Sequence, residues 1–331
     1  MLSFFYRQVN KGVKMTKKYR IGVDVGGTNV KVALVDKEGS IVFTDTVPTR
    51  AEMGYEYTIS NMIKAISDVM KEAKVTTDVI EGIGFGFPGQ IDCDNGIVRL
   101  APNIPGWVNI PIAEIVSKEF GVPVKVDNDV RCAALAELNY GAGKGAQNLI
   151  CITVGTGIGS GLIVNGKLVR GASNAAGELG HIKLQMEDGP LCGCGDQGCL
   201  EAFASGPAIV AMAEEYIKGG KSTKYRELAK NEITPYYVCE AAKQGDVVAK
   251  KIFEIIGTYI GIGLSSVVNL LNPEKIVIGG GVADAGDFLF NPIKEALVKR
   301  AMPIQGAAVE VVHAELGNTA GVIGASLLLE N

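Results

Sequence analysis

His181, Cys192, Cys194 and Cys199 fall within nineteen residues, with Gly193, Gly195 and Gly198 between them. Soft-to-borderline donors at this spacing, on a backbone that glycines let fold tightly, suit a tetrahedral Cys3His zinc site. All four positions are then filled by protein, so the expected metal is structural and has no open position for a catalytic water. Glu178 precedes His181 by three residues and Glu201 follows Cys199 by two. A metal in the loop would hold both carboxylates rigid, and rigid carboxylates are good acceptors for hydroxyl-rich ligands. On spacing alone, both also read as ordinary surface acids.

A second candidate lies at Asp127-Asn128-Asp129, between an apolar strand pattern, Val122 to Val126, and the helical run VRCAALAELNY. Asp129 sits at the expected N-cap, and capping is a complete explanation of it. The same geometry serves chemistry. A carboxylate at a strand-to-helix junction points into the mouth of a cleft, and the helix dipole keeps it ionised, ready to accept a proton from an attacking hydroxyl. With a reference pKa of about 3.9 it is too weak to deprotonate an alcohol in advance. It would take the proton late, as a loose phosphoryl transition state forms.

Phosphates need donors, and two glycine-rich turns supply them. Gly26 and Gly27 let backbone N–H groups approach a phosphate with no Cβ in the way, Thr28 adds a hydroxyl, and Asp24 before the turn suits a hydrated Mg2+. Shifted by 129 positions, IGVDVGGTNVKVALV (Ile21 to Val35) lies over ICITVGTGIGSGLIV (Ile150 to Val164). The second copy keeps the turn at Gly155, Thr156 and Gly157 and replaces the carboxylate with Thr153. Each turn joins two strands, so neither is a Walker loop or a dinucleotide fingerprint. The echo predicts a duplicated protein whose two lobes face each other across a cleft. Gly279 and Gly280, in KIVIGGGV, would let an adenine lie flat against the backbone, or simply turn a strand into a helix.

The elements that must position these groups are legible in outline. From Tyr19 the chain reads as an antiparallel meander reversing at Gly26 and at Asp36 to Gly39. Apolar residues at helical spacing predict a helix from Tyr57 to Lys74, then a buried strand from Gly82 to Phe87, a helix from Ile112 to Phe120 and a strand from Val122 to Val126. The last segment, AVEVVHAELGNTAGVIGASLLL, reads as a strand and an apolar helix that packs back across the lobes.

Composition bounds the function. With 331 residues, the chain is long enough for two cores. It is 47% hydrophobic and 21% charged, and no run of about 18 apolar residues free of charge is seen. A net charge of -4 disfavours a nucleic-acid partner, which needs clustered Lys and Arg. Seven cysteines, an odd number with four of them scattered, suit reduced cytoplasm and a metal site. The N-terminus fails as a signal peptide because its first basic residue, Arg7, follows its short apolar patch.

Taken together, DVGGTN (Asp24 to Asn29), GTGIGSG (Gly155 to Gly161) and CGCGDQGCLE (Cys192 to Glu201) resemble the ROK family of sugar kinases and repressors, and its bacterial glucokinases in particular. The likeness covers nearly everything from Tyr19 onward. It implies the two-lobed α/β fold of the sugar kinase, Hsp70 and actin superfamily. Residues 1–18 would be a leader, 19–117 with 318–331 a small lobe, and 118–317 a large lobe carrying the zinc loop 181–199. It implies Asp129 as base, sugar contacts from Asn103, Asn128, Asp129, Glu178, His181 and Glu201, with Gly89 flanking the pocket, and nucleotide contacts from both turns, Asn29 included. ATP, Mg2+ and Zn2+ follow as cofactors, a hexose as substrate and a dimer or tetramer as assembly. Val130-Arg131 departs from the Ala-Asn that the family often has after the base. The repressors carry an N-terminal winged helix, for which the roughly twenty residues before the first strand are too few.

Lys11-Gly12-Val13-Lys14 ahead of Met15 is encodable as AAA GGA GTG AAA, a purine-rich ribosome-binding sequence before an ATG. Met15 is therefore the expected start. Mass spectrometry of the natural N-terminus should find no peptide containing Phe4 and Phe5; finding one would overturn this.

Overall fold

The computed structural model describes residues 18–102, 104–229 and 231–330. The leader, with Met15, and Asn103 lie outside these. The chain opens with β1 (Tyr19–Val25), β2 (Asn29–Asp36) and β3 (Ile41–Pro48), followed by α1 (Tyr55–Glu72) and β4 (Ile80–Phe87). A small sheet comes next, β5 (Gln90–Asp92), β6 (Ile97–Leu100) and β7 (Val108–Ile110), which the sequence pattern did not announce. Then come α2 (Ile112–Phe120), β8 (Val124–Asn128) and α3 (Asp129–Tyr140). The second half begins with β9 (Leu149–Val154), β10 (Ile158–Val164) and β11 (Lys167–Leu168), and continues through α4 (Leu200–Ala204), α5 (Gly206–Lys218), α6 (Lys224–Ala229), α7 (Pro235–Lys243) and α8 (Val247–Leu271). It ends with β12 (Lys275–Gly279), α9 (Asp287–Arg300), α10 (Pro303–Ala308), β13 (Glu310–His313) and α11 (Ala320–Leu327).

The two large sheets have one design. Their orders are β3-β2-β1-β4-β8 and β11-β10-β9-β12-β13, an antiparallel meander extended on one side by two parallel strands. The turns start alike and close differently: the Gly26 N–H donates to Asn29 O, three residues on, and the Gly155 N–H to Gly157 O, two residues on, both at 2.9 Å. The echo at 129 positions is thus a structural duplication, and the fold is the two-lobed α/β fold of the sugar kinase, Hsp70 and actin superfamily.

One boundary differs from expectation. β8 pairs in parallel with β4, from Ile83↔Val124 to Phe87↔Asn128, so the first sheet runs on to Asn128 and past 117. A parallel neighbour requires a crossover connection, and α2 is part of it.

α11 closes the first sheet from behind. A Cβ on Gly22 would overlap Val322 O, and one on Gly84 would overlap Ala325 O, so the helix lies directly on the β1 and β4 backbones. α11 also crosses α3, where a Cβ on Gly324 would overlap Cys132 O. α3 in turn packs on β9 and β10 of the second sheet. The two lobes are joined by this backbone-to-backbone crossing, the return of the last helix that its sequence suggested.

α8 alone among the described helices is long and apolar enough, by length and composition, to span a membrane. Its Ile252, Ile256, Ile260 and Leu264 are instead in the core of the second lobe, and Gly257 and Gly261 admit the α9 backbone.

Candidate active site

Two cavities lie between the lobes and a third adjoins them within the second lobe. A front cavity of about 320 Å3 is lined by Gly89, Asn128, Asp129, Glu178, His181 and Glu201, among others. An inner cavity of about 390 Å3 holds Asp24, Lys31, Asp129, Glu137, Gly279 and Gly280. An outer, mostly apolar cavity of about 690 Å3 includes Thr156, Pro207, Ile233, Tyr236, Gly281 and Val282. Their walls are shared: Asp129, Thr153 and Gly280 face both front and inner cavities, Gly155 and Thr156 face front and outer, and Gly281 and Asp284 face inner and outer.

The N-cap of α3 is Asn128 and not Asp129. The Asn128 Oδ1 accepts from the Val130 N–H at 3.0 Å and the Arg131 N–H at 3.3 Å, while its Nδ2 donates to Gly89 O at 3.4 Å. Asp129 is the first helical residue, so capping does not account for it, and its carboxylate is left to face the cavities. Nor does the helix start keep it at an ordinary acidity. Burial, reinforced by the negative charge of Asp24, pushes Asp129 up to about 6, against the pull of backbone N–H groups and Arg131. Asp24 is raised too, by burial, with Lys31 opposing. It lies under the start of α11, where a Cβ on Gly321 would crowd its carboxylate.

The first glycine turn behaves differently from its copy. Gly26, Gly27, Thr28 and Asn29 are exposed at the lip of the cleft and line none of the three cavities, whereas Gly155, Thr156 and Gly157 line the front one. Gly279 and Gly280, which the sequence offered as an adenine platform, line the inner cavity and not the apolar outer one. Gly280 has φ +86°, and a Cβ there would overlap the Val154 backbone, so this position requires glycine.

The loop from Glu178 to Glu201 is anchored at both ends. Leu179–His181 is a single 3-10 turn, with Glu178 Oε2 4.0 Å from His181 Nε2. Glu201 is no loose surface acid: its Oε2 accepts from the Ile158 N–H at 2.8 Å, tying the start of α4 to the second glycine turn. His181, Cys192, Cys194 and Cys199 put their donor atoms within 4.8 Å of one another. His181 Nδ1 and Cys192 Sγ are 3.7 Å apart, and Cys194 Sγ and Cys199 Sγ 3.8 Å. A tetrahedron with metal–sulfur bonds of about 2.3 Å has edges of about 3.8 Å, so the donor set fits a zinc ion. Nδ1 faces this group and Nε2 faces the front cavity side.

Several residues of the site were given no role by the sequence. Asp127 is wholly buried between Arg131 Nη1 at 2.9 Å and Arg170 Nε at 2.7 Å. Arg131 also donates to Asn174 O at 2.7 Å, which links the strand-to-helix junction to the loop that leads to Glu178. Glu137, also buried, accepts from the N–H groups of Ala142, Glu315 and Leu316 and holds the chain that enters α11. The walls of the outer cavity come from the starts of α5 and α7, for which no periodicity was diagnostic. The Val130-Arg131 departure was the one available hint.

A duplicated α/β fold with a carboxylate at the seam of its cleft is the architecture of the sugar kinases. Within that class the chain belongs to the ROK family, which it matches over residues 20–331. It is 39% identical to a glucokinase of Halalkalibacterium halodurans over 318 residues, 96% of either chain. It is 33% identical to a xylose repressor of Caldicellulosiruptor bescii, covering 96% of this chain and 78% of that one. The solved structure of a ROK family glucokinase from Streptomyces griseus, in complex with glucose and AMPPNP, superposes with a TM-score of 0.80 at 35% identity, covering 94% of this chain and 98% of the other.

A carboxyl whose folded pKa is raised from 3.8 to about 6 destabilises the fold when ionised, and that cost is lost as pH falls from about 6 toward 4. Asp129→Asn is therefore expected to raise stability at pH 7 by about 1–3 kcal/mol. Thermal unfolding at pH 7 and pH 5 checks this: the gain should narrow at pH 5, and a gain independent of pH would contradict it.

Proposed function

We propose that this protein is an ATP-dependent glucokinase that moves the γ-phosphoryl group of ATP to the 6-hydroxyl of glucose. The observation that carries the reading is Asp129 on the wall shared by a polar front cavity and an inner cavity. The sugar would occupy the front cavity, its hydroxyls held by Asn128, Glu178, His181 and Glu201, with Gly89 beside them; Asn103, outside the described residues, stays a sugar contact on the family resemblance alone. The phosphates would lie in the inner cavity and the adenine in the apolar outer one, past Gly281 and Val282. Closure of the lobes would bring the exposed Gly26 to Asn29 turn onto the phosphates opposite Gly155 to Gly157.

In the transfer, the sugar oxygen bonds to the γ-phosphorus as the bond to ADP breaks, and the hydroxyl proton passes to Asp129. A carboxylate near pKa 6 is ionised at neutral pH and is a better acceptor than one near 4. Proton transfer of this kind contributes about 10²–10⁴ in rate, and positioning contributes the rest. Asp24 would hold Mg2+, which supplies charge neutralisation at the phosphates when bound. His181, Cys192, Cys194 and Cys199 would hold Zn2+, which supplies rigidity to the loop. Were Nδ1 to hold the metal, Nε2 would be the ring nitrogen left to donate to the sugar. We assign the protein to the cytoplasm, with assembly as a dimer or tetramer.

Relatives named as repressors favour a second reading, a sugar-sensing regulator with no turnover. The presence of both Asp24 and Asp129 in one cavity supports the kinase. A coupled assay should show phosphorylation of glucose exceeding that of fructose, mannose and N-acetylmannosamine; a higher rate on N-acetylmannosamine would overturn the choice of sugar. Asp129→Ala should lower kcat by about 10²–10⁴, and unchanged turnover would refute the mechanism. For wild type, kcat/KM should fall as pH drops below about 6, where Asp129 takes up a proton.

Zinc removal tests the loop. A chelator should release about one zinc per chain by metal analysis and weaken glucose binding in calorimetry more than nucleotide binding, because the loop carries the sugar contacts and reaches the second glycine turn only through Glu201. Equal loss of both affinities would count against this division.

A further inference from the structure

Arg131 stands where the family often has asparagine, and it is buried on the wall of the front cavity. A buried guanidinium needs matched acceptors. Its Nη1 lies 2.9 Å from Asp127 Oδ1, and its Nη2 donates to Asn174 O at 2.7 Å. The other oxygen of Asp127 is held by Arg170 Nε at 2.7 Å, so the buried acid would keep a cationic partner without Arg131. Neutralising Asp127 therefore does not account for Arg131, and its bond to Asn174 is the contact that only this side chain supplies.

Asn174 belongs to the stretch 169–178, which contains neither strand nor helix and ends at Glu178. With no ladder of its own, this stretch depends on side chains to fix it. Ser160 Oγ donates to Gly177 O at 2.6 Å, from the second half of the chain. The remaining ties cross to the first half: Asn174 Nδ2 donates to Asp94 Oδ2 at 3.1 Å, Arg170 is paired with Asp127, and Arg131 holds Asn174 O. Arg131 follows Asp129 by two residues at the start of α3. One hydrogen bond thus joins the helix that carries the base to the stretch that delivers Glu178 to the front cavity.

We propose that Arg131 is a positioning residue for the sugar: through Asn174 it fixes the stretch ending at Glu178 against the start of α3, so that Glu178 and Asp129 keep their placement about the front cavity. The inference rests on the kinase reading above. Nη1 and Nη2 are both engaged by protein, so Arg131 acts through Glu178 and takes no part in proton transfer. Hydroxyl recognition is directional, and an acceptor displaced by about 1 Å costs up to about 10². Lysine is no substitute, because an ammonium is a single point of charge, whereas the planar fork serves Asp127 and Asn174 at once. Asparagine is too short to reach either.

Arg131→Lys and Arg131→Asn, measured beside wild type, test the proposal. In both, the glucose Kd from calorimetry should rise by about 10–100-fold, while the MgATP Kd and the unfolding temperature stay near wild type. Amide hydrogen exchange should quicken across 170–178 and stay unchanged in α8. An unchanged glucose Kd in both variants overturns the proposal, as does an equal loss of affinity for glucose and MgATP. Full glucose affinity in Arg131→Lys also overturns it, since charge alone would then suffice. A wild-type protein that neither binds nor phosphorylates a hexose would strike down the kinase reading instead. Hydrogen exchange then still decides Arg131: faster exchange across 170–178 in Arg131→Lys upholds its hold on the loop, and unchanged exchange overturns it.

Discussion

The crossing of α3 and α11 is the constraint on which the site depends. Gly324 lets the two backbones touch at Cys132, and Gly22 and Gly84 let α11 lie directly on the first sheet. α3 begins with Asp129, and α11 begins beside Gly321, under Asp24. One helix crossing therefore sets where the two carboxylates lie, and with it the burial of both and the charge that Asp129 meets. Side chains at these glycines would push α11 away from the sheet and α3, and close-packed interiors do not absorb such shifts.

Around that crossing the protein tolerates unfavourable electrostatics. Burial raises the proton affinity of both Asp24 and Asp129, and the charge of Asp24 adds to the rise at Asp129. Groups with such pushed-up affinities are typical of sites that await charged ligands. Asp127 shows the opposite solution: equally buried, it is paired with two arginines and accepts from the Asn128 N–H, so it acts as a strut. Two neighbouring aspartates, 127 and 129, have different roles because one has cationic partners and the other faces empty space.

The loop of His181, Cys192, Cys194 and Cys199 extends the same logic to the front cavity. Glu201 is bonded to the second glycine turn and Glu178 stands beside His181, so the loop and that turn share one framework. Directional recognition of hydroxyls needs acceptors that do not move, and a four-donor metal site is an economical way to fix a loop that has little regular structure.

The order of glycines, cysteines and acids along the chain carried the duplication, the clustering of His181 with three cysteines and the junction at Asp129, because each depends on the order of a few residue types. The meander from Tyr19 and the helix from Ile112 to Phe120 were legible for the same reason, as their apolar periods are local. The three-stranded sheet of β5, β6 and β7 was not, since strands of three or four residues leave no period to read. Which residue caps α3, how far burial raises Asp129, how Arg170 reaches Asp127 across 43 positions and how Lys31 comes to face Asp24 were decided only by the tertiary structure. Capping needs the direction of one side chain, and acidity and ion pairing need the groups that folding brings near. Neither is a property of neighbours in sequence.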